Sequence, residues 1–410
     1  MKKDLLEKFA KLAVYNGVNV QKDQELFINA PVIAHEFVYL ISKYAYEKGA
    51  KEVFINWNFD KLSRLNMEKQ SIDTIKEIPN FVIERYKHIV DRKACLLSIS
   101  AITPNLYEGI DPKKLKESAL ASNSKLKFYK QFTMANKTQW SIIGYPTKEW
   151  AKKVFPYINE DEAYEKLFEA ILNASRVTKD NDPVEEWNNH NKKLQDINKK
   201  LNDFNFDRLE FKNELGTNLT IGLALDHVWA GGCEYSCDGV LFNPNIPTEE
   251  TFTMPHKDRV NGRVYSTKPL SYQGNLIEEF YLDFKDGEVV GYDALKGKDA
   301  LKNLLTLDNG SKRIGEIALI SYDSPISNMN ILFYNTLFDE NASCHIALGN
   351  AYPMNIKNGT NMSIEELRKR GYNESMTHVD FMFGSKDMEI FGITKDDKKI
   401  QIFKKGNFII

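Results

Sequence analysis

Cysteine is scarce in this chain: Cys95, Cys233, Cys237 and Cys344 are the four in 410 residues. Cys233 and Cys237 do not make a CxxC pair, so neither a disulfide framework nor a zinc knuckle is expected, and reduced thiols in a cytoplasm suit the pattern better. Long apolar runs are missing too. Nothing reaches the roughly 18 residues that a membrane span needs, and the opening MKKDLLEKFAKLAVYNGV reads as an amphipathic helix without the apolar stretch of a signal peptide. Charge of one sign is also lacking: 55 Lys and Arg against 57 Asp and Glu leave a net charge of -2, which offers no basic field to a nucleic acid. There is no HExxH, no GxSxG elbow and no Walker loop. The one His-Glu pair, His35-Glu36, continues without a second histidine, so His35, like His88, reads as a structural residue. Internal repeats and low-complexity segments are absent.

What is present is an ordinary globular composition, 42% hydrophobic and 27% charged, with length for two or three domains. The first half alternates short apolar runs with helix-like spans. ELFINAP (Glu25 to Pro31), EVFINWN (Glu52 to Asn58), ACLLSISA (Ala94 to Ala101) and QWSIIGYP (Gln139 to Pro146) read as strands. Between them, IAHEFVYLISKYAYEKGAK has helical spacing and stops at Gly49, and a second helix-like span runs from Pro112 to Ser122. Apolar strands separated by helices predict a largely parallel sheet covered on both faces. No Gly-rich fingerprint follows any of these strands, so a nucleotide is not expected there.

From Thr147 to about Asn205 the chain reads as helical and polar. Asp182-Pro183 makes a good start for PVEEWNNHNKKLQDINKKLNDF, which places Trp187 and His190 on one face. After Asp207 the texture changes to short strands and turns. RLEFKNELGTNLTIGLA alternates around Gly216 as a hairpin does, and strand-like segments continue to the C-terminus. Helix-like interruptions fall at Leu295 to Leu305 and near Ile364 to Lys369. The expectation is an N-terminal α/β domain with a helical linker over residues 1–205. A C-terminal α+β domain dominated by antiparallel strands follows over 206–410.

The chemistry gathers in the last third. His378 and Asp380 sit two apart in THVDFMF, so on a strand both point to one face. His345 lies in SCHIALG and Glu316 in RIGEIALI, both strand-like. Cys344, next to His345, would point the other way, into a core. Glu249 and Glu250 form an acidic pair after Pro247, where a loop gives way to a strand. Burying acids and imidazoles without partners is costly. Two divalent metal ions would satisfy two histidines, an aspartate and several glutamates together, with one carboxylate bridging. His256 and His227 are candidates for the rim of a cavity, and Arg259 and Arg263 read as solvated or paired.

In order and spacing, NIPTEETFTMP, GEIAL, DENASCHIALGNAYP and ESMTHVDFMFG resemble the aminopeptidase T/aminopeptidase S family of metallo-exopeptidases, also called thermophilic metalloproteases. EEWNNHNKKL, ELGTNLTIGL and KKGNF extend the likeness over most of the chain. The resemblance implies a two-domain homodimer that removes N-terminal amino acids from peptides with a free N-terminus, using two divalent metals. Zinc, cobalt and manganese all suit mixed N/O ligation. It carries metal-ligand roles onto Glu250, Glu316, His345, His378 and Asp380, with Glu340 as a sixth, and a catalytic role onto Tyr352. The choice of Glu250 over Glu249 as ligand rests on the resemblance. Glu316 is the expected bridge, because a carboxylate has two oxygens to share, and Glu249 is a candidate for taking the proton from water. Another metal-dependent amidohydrolase or dipeptidase, or a non-catalytic metal- or peptide-binding protein, are the alternatives.

Overall fold

The computed structural model describes residues 2–273 and 275–410, the side chain of Lys2 excepted. The chain forms two compact units, Met1–Asn189 with Cys233–Pro247, and His190–Gly232 with Thr248–Ile410. The sequence reading has one passage between domains, after residue 205. The chain instead returns to the first unit at 233–247, because that segment carries a short strand at the edge of the parallel sheet.

In the first unit, β1 (Glu25–Pro31), β2 (Glu52–Asn58), β3 (Cys95–Ser100), β4 (Trp140–Gly144) and β5 (Asn245–Ile246) form an all-parallel sheet in the order β2-β1-β3-β4-β5. The four strands read from the sequence are these first four, within a residue or two at each end. Leu26, Phe27, Ile28, Leu96 and Leu97 are buried on the central strands β1 and β3, as parallel strands covered on both faces require. β2, an edge strand, is less covered. The helix expected to stop at Gly49 spans His35–Glu47, and the one expected at Pro112 runs to Lys125. Helices Asp60–Lys69, Ile72–Lys76 and Asn80–Arg92 fill the crossover from β2 to β3; the sequence reading did not register them, and Asp60–Lys69 has no buried residue to create a clear apolar stripe.

The long helix is Pro183–Phe204, and Asp182 caps it by accepting the Val184 N–H at 2.9 Å. In the second unit, Arg208–Lys212 and Asn218–Leu223 form the expected hairpin within a large antiparallel sheet. That sheet also takes in Pro255–Tyr265, Asn275–Lys285, Glu288–Lys296 and the strands Glu389–Ile393 and Lys399–Lys404. The helix expected from Leu295 begins only at Lys298. Strand Glu288–Lys296 runs on through Leu295, paired with Asn275–Lys285, and Gly297 separates the two elements. The α/β and antiparallel halves are therefore as the sequence implies.

A second sheet of this unit holds β6 (Thr251–Thr253), β7 (Ile314–Leu319), β8 (His345–Gly349) and β9 (His378–Met382), antiparallel and in that order. One of its faces joins the main core. Ile317, Leu319, Ile346, Leu348 and Phe381 pack there with Phe280, Phe383 and Phe211. Each such side chain stabilises by about 1.5–3 kcal/mol relative to exposure. That apolar face holds the strands in register and offsets the cost of what the opposite face carries.

Candidate metal centre

The opposite face of β7, β8 and β9 presents acids and imidazoles. Cys344, just before β8, and Ile346 and Leu348 on it belong to the core, so the alternation sends His345, Ala347 and Gly349 the other way. Across the strands Glu316 pairs with Ala347, and Ala347 with Asp380; Gly349 pairs with His378. The small Ala347 between two carboxylates leaves room for both. β7 reaches this arrangement through a bulge. Ile314 pairs with Leu348, and the register then shifts so that Glu316 meets Ala347. Without the shift Glu316 would share the face of Ile314 and enter the core; the extra residue re-phases the alternation. That residue is Gly315, where a Cβ would lie 2.4 Å from the carbonyl oxygens of Gly349 and Asn350, so only glycine fits.

Three strands, β7, β8 and β9, and the segment just before β6 thus deliver five side chains to one place. The Nε2 of His345 lies 3.4 Å from Glu250 Oε2 and 3.5 Å from Glu316 Oε1. The Nε2 of His378 lies 3.4 Å from Asp380 Oδ1 and 3.7 Å from Glu316 Oε2. Ligand-type atoms of Glu250, Glu316 and His345 lie within 4.8 Å of one another, and so do those of Glu316, His378 and Asp380. His345 is 1% exposed and Glu316 5%.

These spacings fit a cation. Charge-assisted N–H···O bonds run at about 2.7–2.9 Å, shorter than any of the four contacts. Two ligand atoms each about 2.1 Å from a tetrahedral ion stand about 3.4 Å apart. The buried Oδ1 of Asp380, which the Nε2 atoms of both His378 and His345 face, has no hydrogen-bond partner among the described residues. The Nδ1–H of His378 donates to the Asn350 carbonyl at 2.7 Å, which leaves the Nε2 lone pair facing the carboxylates, the tautomer a metal ligand needs.

The electrostatics of the bare protein tell the same story. Burial pushes the Glu250 carboxyl up to about 8; His345 pulls against this, and Glu316 and Asp380 add to it. Burial disfavours a charged His345, yet Glu316, Asp380 and Glu250 overcome it and raise the imidazole to about 9. His378 rises to about 10, burial again being outweighed, here by Asp380 first and then Glu316. Burial would lift Asp380, but the His378 and His345 charges hold it below its ordinary value. Without metal the imidazoles must hold protons to neutralise the acids. A divalent cation would replace those protons.

The remaining expected site residues lie around this cluster. Glu340, at the start of the short turn Glu340–Ala342, is lifted well above the usual carboxylate range by burial and then by Glu250, Asp380 and Glu316. The Tyr352 ring is 4.8 Å from that of His378, and burial together with the nearby carboxylates raises its phenol, so it stays a neutral donor. Glu249 is buried with Oε2 3.8 Å from His190 Nε2, and neither group of ligand atoms includes it or Glu340. Cys344 lies in the core, with its Sγ–H directed at the Ile320 carbonyl at 3.4 Å. His256 and His227 are outside both groups of ligand atoms; Nδ1 of His256 accepts the Asp258 N–H, and Nδ1 of His227 is 3.0 Å from the Ala224 carbonyl. Arg259 pairs with Asp207 and Arg263 with Asp283, both at 2.6 Å. His88 meets Glu25 at 2.7 Å, a structural role as expected.

Sequence reasoning singled out His190, with Trp187 on one helical face, but assigned neither it nor Asn341 to positioning Glu250. His190 Nε2 is 2.8 Å from the Thr248 carbonyl, and Asn341 Oδ1 accepts the Glu249 N–H at 2.8 Å. Gly231 lies against the Glu250 backbone, where a Cβ would stand 2.2 Å from its carbonyl oxygen. Only the position of Asn341, directly after Glu340, hinted at such a role.

The family described as Thermophilic metalloprotease (M29) matches residues 2–408. The chain is 46% identical over 403 residues to "Aminopeptidase 2" of Geobacillus stearothermophilus, covering 98% of this chain and 97% of the relative. It is 47% identical over 403 residues to "Aminopeptidase AmpS" of Bacillus subtilis, covering 98% of each. Among solved structures, wild-type AmpT from Thermus thermophilus is similar at a TM-score of 0.93 and 36% identity, with 100% of both chains covered. Sequence and fold agree along the whole described length, and the chain belongs to the thermophilic metalloprotease family.

Proposed function

We propose that this chain is a metal-dependent aminopeptidase that hydrolyses the first peptide bond of peptides with a free N-terminus, at a centre of two divalent cations. The observation that carries the two-cation reading is the placement of Glu316. Its Oε1 faces His345 and its Oε2 faces His378, so one carboxylate serves two ligand groups. Glu250 and His345 complete one group and His378 and Asp380 the other, with Glu340 as a further ligand. Charge supports the same count: two divalent ions balance the carboxylates of Glu250, Glu316, Asp380 and Glu340 with both imidazoles neutral. Zinc, cobalt or manganese suits this mixed N/O set. When bound, such ions supply Lewis acidity to a carbonyl and lower the pKa of water.

The chain's own groups do the rest. Tyr352, a neutral donor beside His378, gives a hydrogen bond to the oxygen that gains charge as the carbonyl is attacked. Glu249, outside the ligand groups and facing His190, takes the proton at its carboxylate. The acid-rich surroundings favour a substrate's free α-ammonium and disfavour a blocked N-terminus. A cytoplasmic homodimer completes the reading. No disulfide joins the described cysteines, which is consistent with a reducing compartment, and no described helix is long and apolar enough to cross a membrane. Sedimentation velocity tests the dimer.

Turnover of a leucyl-anilide should vanish on chelation and return with added zinc, cobalt or manganese, while N-acetyl-leucyl-anilide should not be cleaved. A fully demetallated preparation that keeps its rate, or equal cleavage of the acetylated substrate, would overturn the assignment.

A further inference from the structure

A cavity of about 530 Å³ opens within the first unit at the carboxyl ends of β1, β2, β3 and β4. The volume falls within the roughly 300–1,000 Å³ of small-molecule sites. Its position is informative. In the order β2-β1-β3-β4-β5 the direction of winding reverses between β1 and β3, and open parallel sheets bind ligands outside the carboxyl ends of strands at such a reversal. Val32 and Ile33 after β1, Phe59 after β2, Thr103 after β3 and Glu149 after β4 all line it. It is a feature of the parallel sheet, separate from the acid cluster of the second unit.

The lining decides the chemistry. Val32, Ile33 and Phe59 are large apolar side chains between 46% and 52% exposed. Asp60 Oδ2 accepts the Thr103 hydroxyl at 2.6 Å, tying two of the loops together. The Arg64 guanidinium is committed to the carbonyls of Leu106 at 2.6 Å and Glu108 at 3.0 Å, so it braces the wall. Lys61 and Glu149 differ. Both line the cavity, and no hydrogen bond or ion pair joins the side chain of either to another described residue. One uncommitted cation and one uncommitted anion thus share an apolar-walled cleft.

A nucleotide or other polyanion would meet the carboxylates of Asp60 and Glu149, and no strand end here opens into a Gly-rich turn of the kind that lets a backbone approach phosphate, Gly144 at the end of β4 standing alone. A polycation would meet Lys61 and Arg64. A ligand with one charge of each sign and an apolar body leaves neither group opposed. We propose that this cleft binds a small apolar zwitterion, a free α-amino acid or a short apolar peptide, with its carboxylate at Lys61, its ammonium at Glu149 and its side chain against Val32, Ile33 and Phe59. The inference rests on the cleft and not on the hydrolytic reading.

Calorimetric titration of L-leucine and of leucyl-leucine into the full-length Glu316→Gln chain tests this, because that background removes turnover and weakens binding at the acid cluster. Saturable binding of either probe is expected, and whichever binds more tightly identifies the free amino acid or the peptide as the occupant. Lys61→Glu and Glu149→Lys, both at exposed side chains, should each weaken it at least about tenfold, the loss of one charge-assisted contact. N-acetyl-leucine and leucinamide, each missing one charge, should bind correspondingly less well. Melting curves of the two charge variants check that the fold is intact. No saturable heat, an affinity indifferent to both charge reversals, tighter binding of inorganic phosphate, or self-association of the chain that Val32→Asp abolishes would each overturn the proposal. Hydrolysis of leucyl-anilide by the unaltered chain is scored separately, so failure of the peptidase reading is distinguishable from failure of the cleft.

Discussion

Replacing Glu316 with glutamine keeps the side chain's shape and removes one negative charge from the middle of the cluster. Each of its two oxygens faces a different imidazole, at 3.5 and 3.7 Å, and the residue is 5% exposed. A charge-assisted contact contributes about 1.5–3 kcal/mol. Losing two, one towards each proposed cation, amounts to about 3–6 kcal/mol, or roughly a hundred- to ten-thousand-fold in metal affinity. The fold should tolerate the change, since Glu316 is not part of the apolar core, although the metal-free protein loses the attraction of this carboxylate for the two protonated imidazoles. Metal content measured by mass spectrometry should fall, leucyl-anilide turnover should be lost, and the thermal melt in chelator should be unchanged or somewhat lower. In that chelated state the His345 titration, followed by NMR, should move below about 9, because Glu316 helps raise it. A Gln variant with full metal content and full turnover would refute the shared-carboxylate reasoning. One that fails to fold would show that Glu316 is a structural residue.

The metal-free protein should lose stability as pH rises. His345 and His378 have folded values of about 9 and 10 against an ordinary 6.5, so their contribution is complete below 6.5 and is lost as pH climbs through 9 to 10. Glu250, raised to about 8 by burial, acts in the same direction over a lower window. Melting curves in chelator across that range should fall, and the metal-loaded protein should show a smaller drop, with protons released on metal binding. A flat profile in chelator would mean that the imidazoles do not hold these protons. Tyr352→Phe should leave metal content unchanged while lowering kcat by about a hundred- to a thousand-fold, the scale of one oxyanion donor. An unaltered kcat would remove the phenol from the reaction.

Much of the fold was legible because it depends on local pattern. ELFINAP and EVFINWN are apolar runs bounded by turn signals, and they become β1 and β2 with no change of ends. His378 and Asp380 share a face because any strand places alternate residues on one side, and Cys344 falls in the core for the same reason. The crossover helices between β2 and β3 were not legible, since Asp60–Lys69 buries nothing and so shows no stripe.

By itself the sequence determined which segments are strands, which faces of them are apolar, and which acid and imidazole types are available, because period and composition are properties of neighbours along the chain. Only the tertiary structure decided that Glu316 faces the acids and not the core. That choice turns on the bulge at Gly315, where the carbonyls of Gly349 and Asn350 on another strand come too close for any side chain. It likewise decided that residues 233–247 rejoin the parallel sheet, and that His190 and Asn341, both distant in sequence from Glu250, hold its segment in place. Contacts between distant segments depend on register and packing, which no stretch of sequence records on its own.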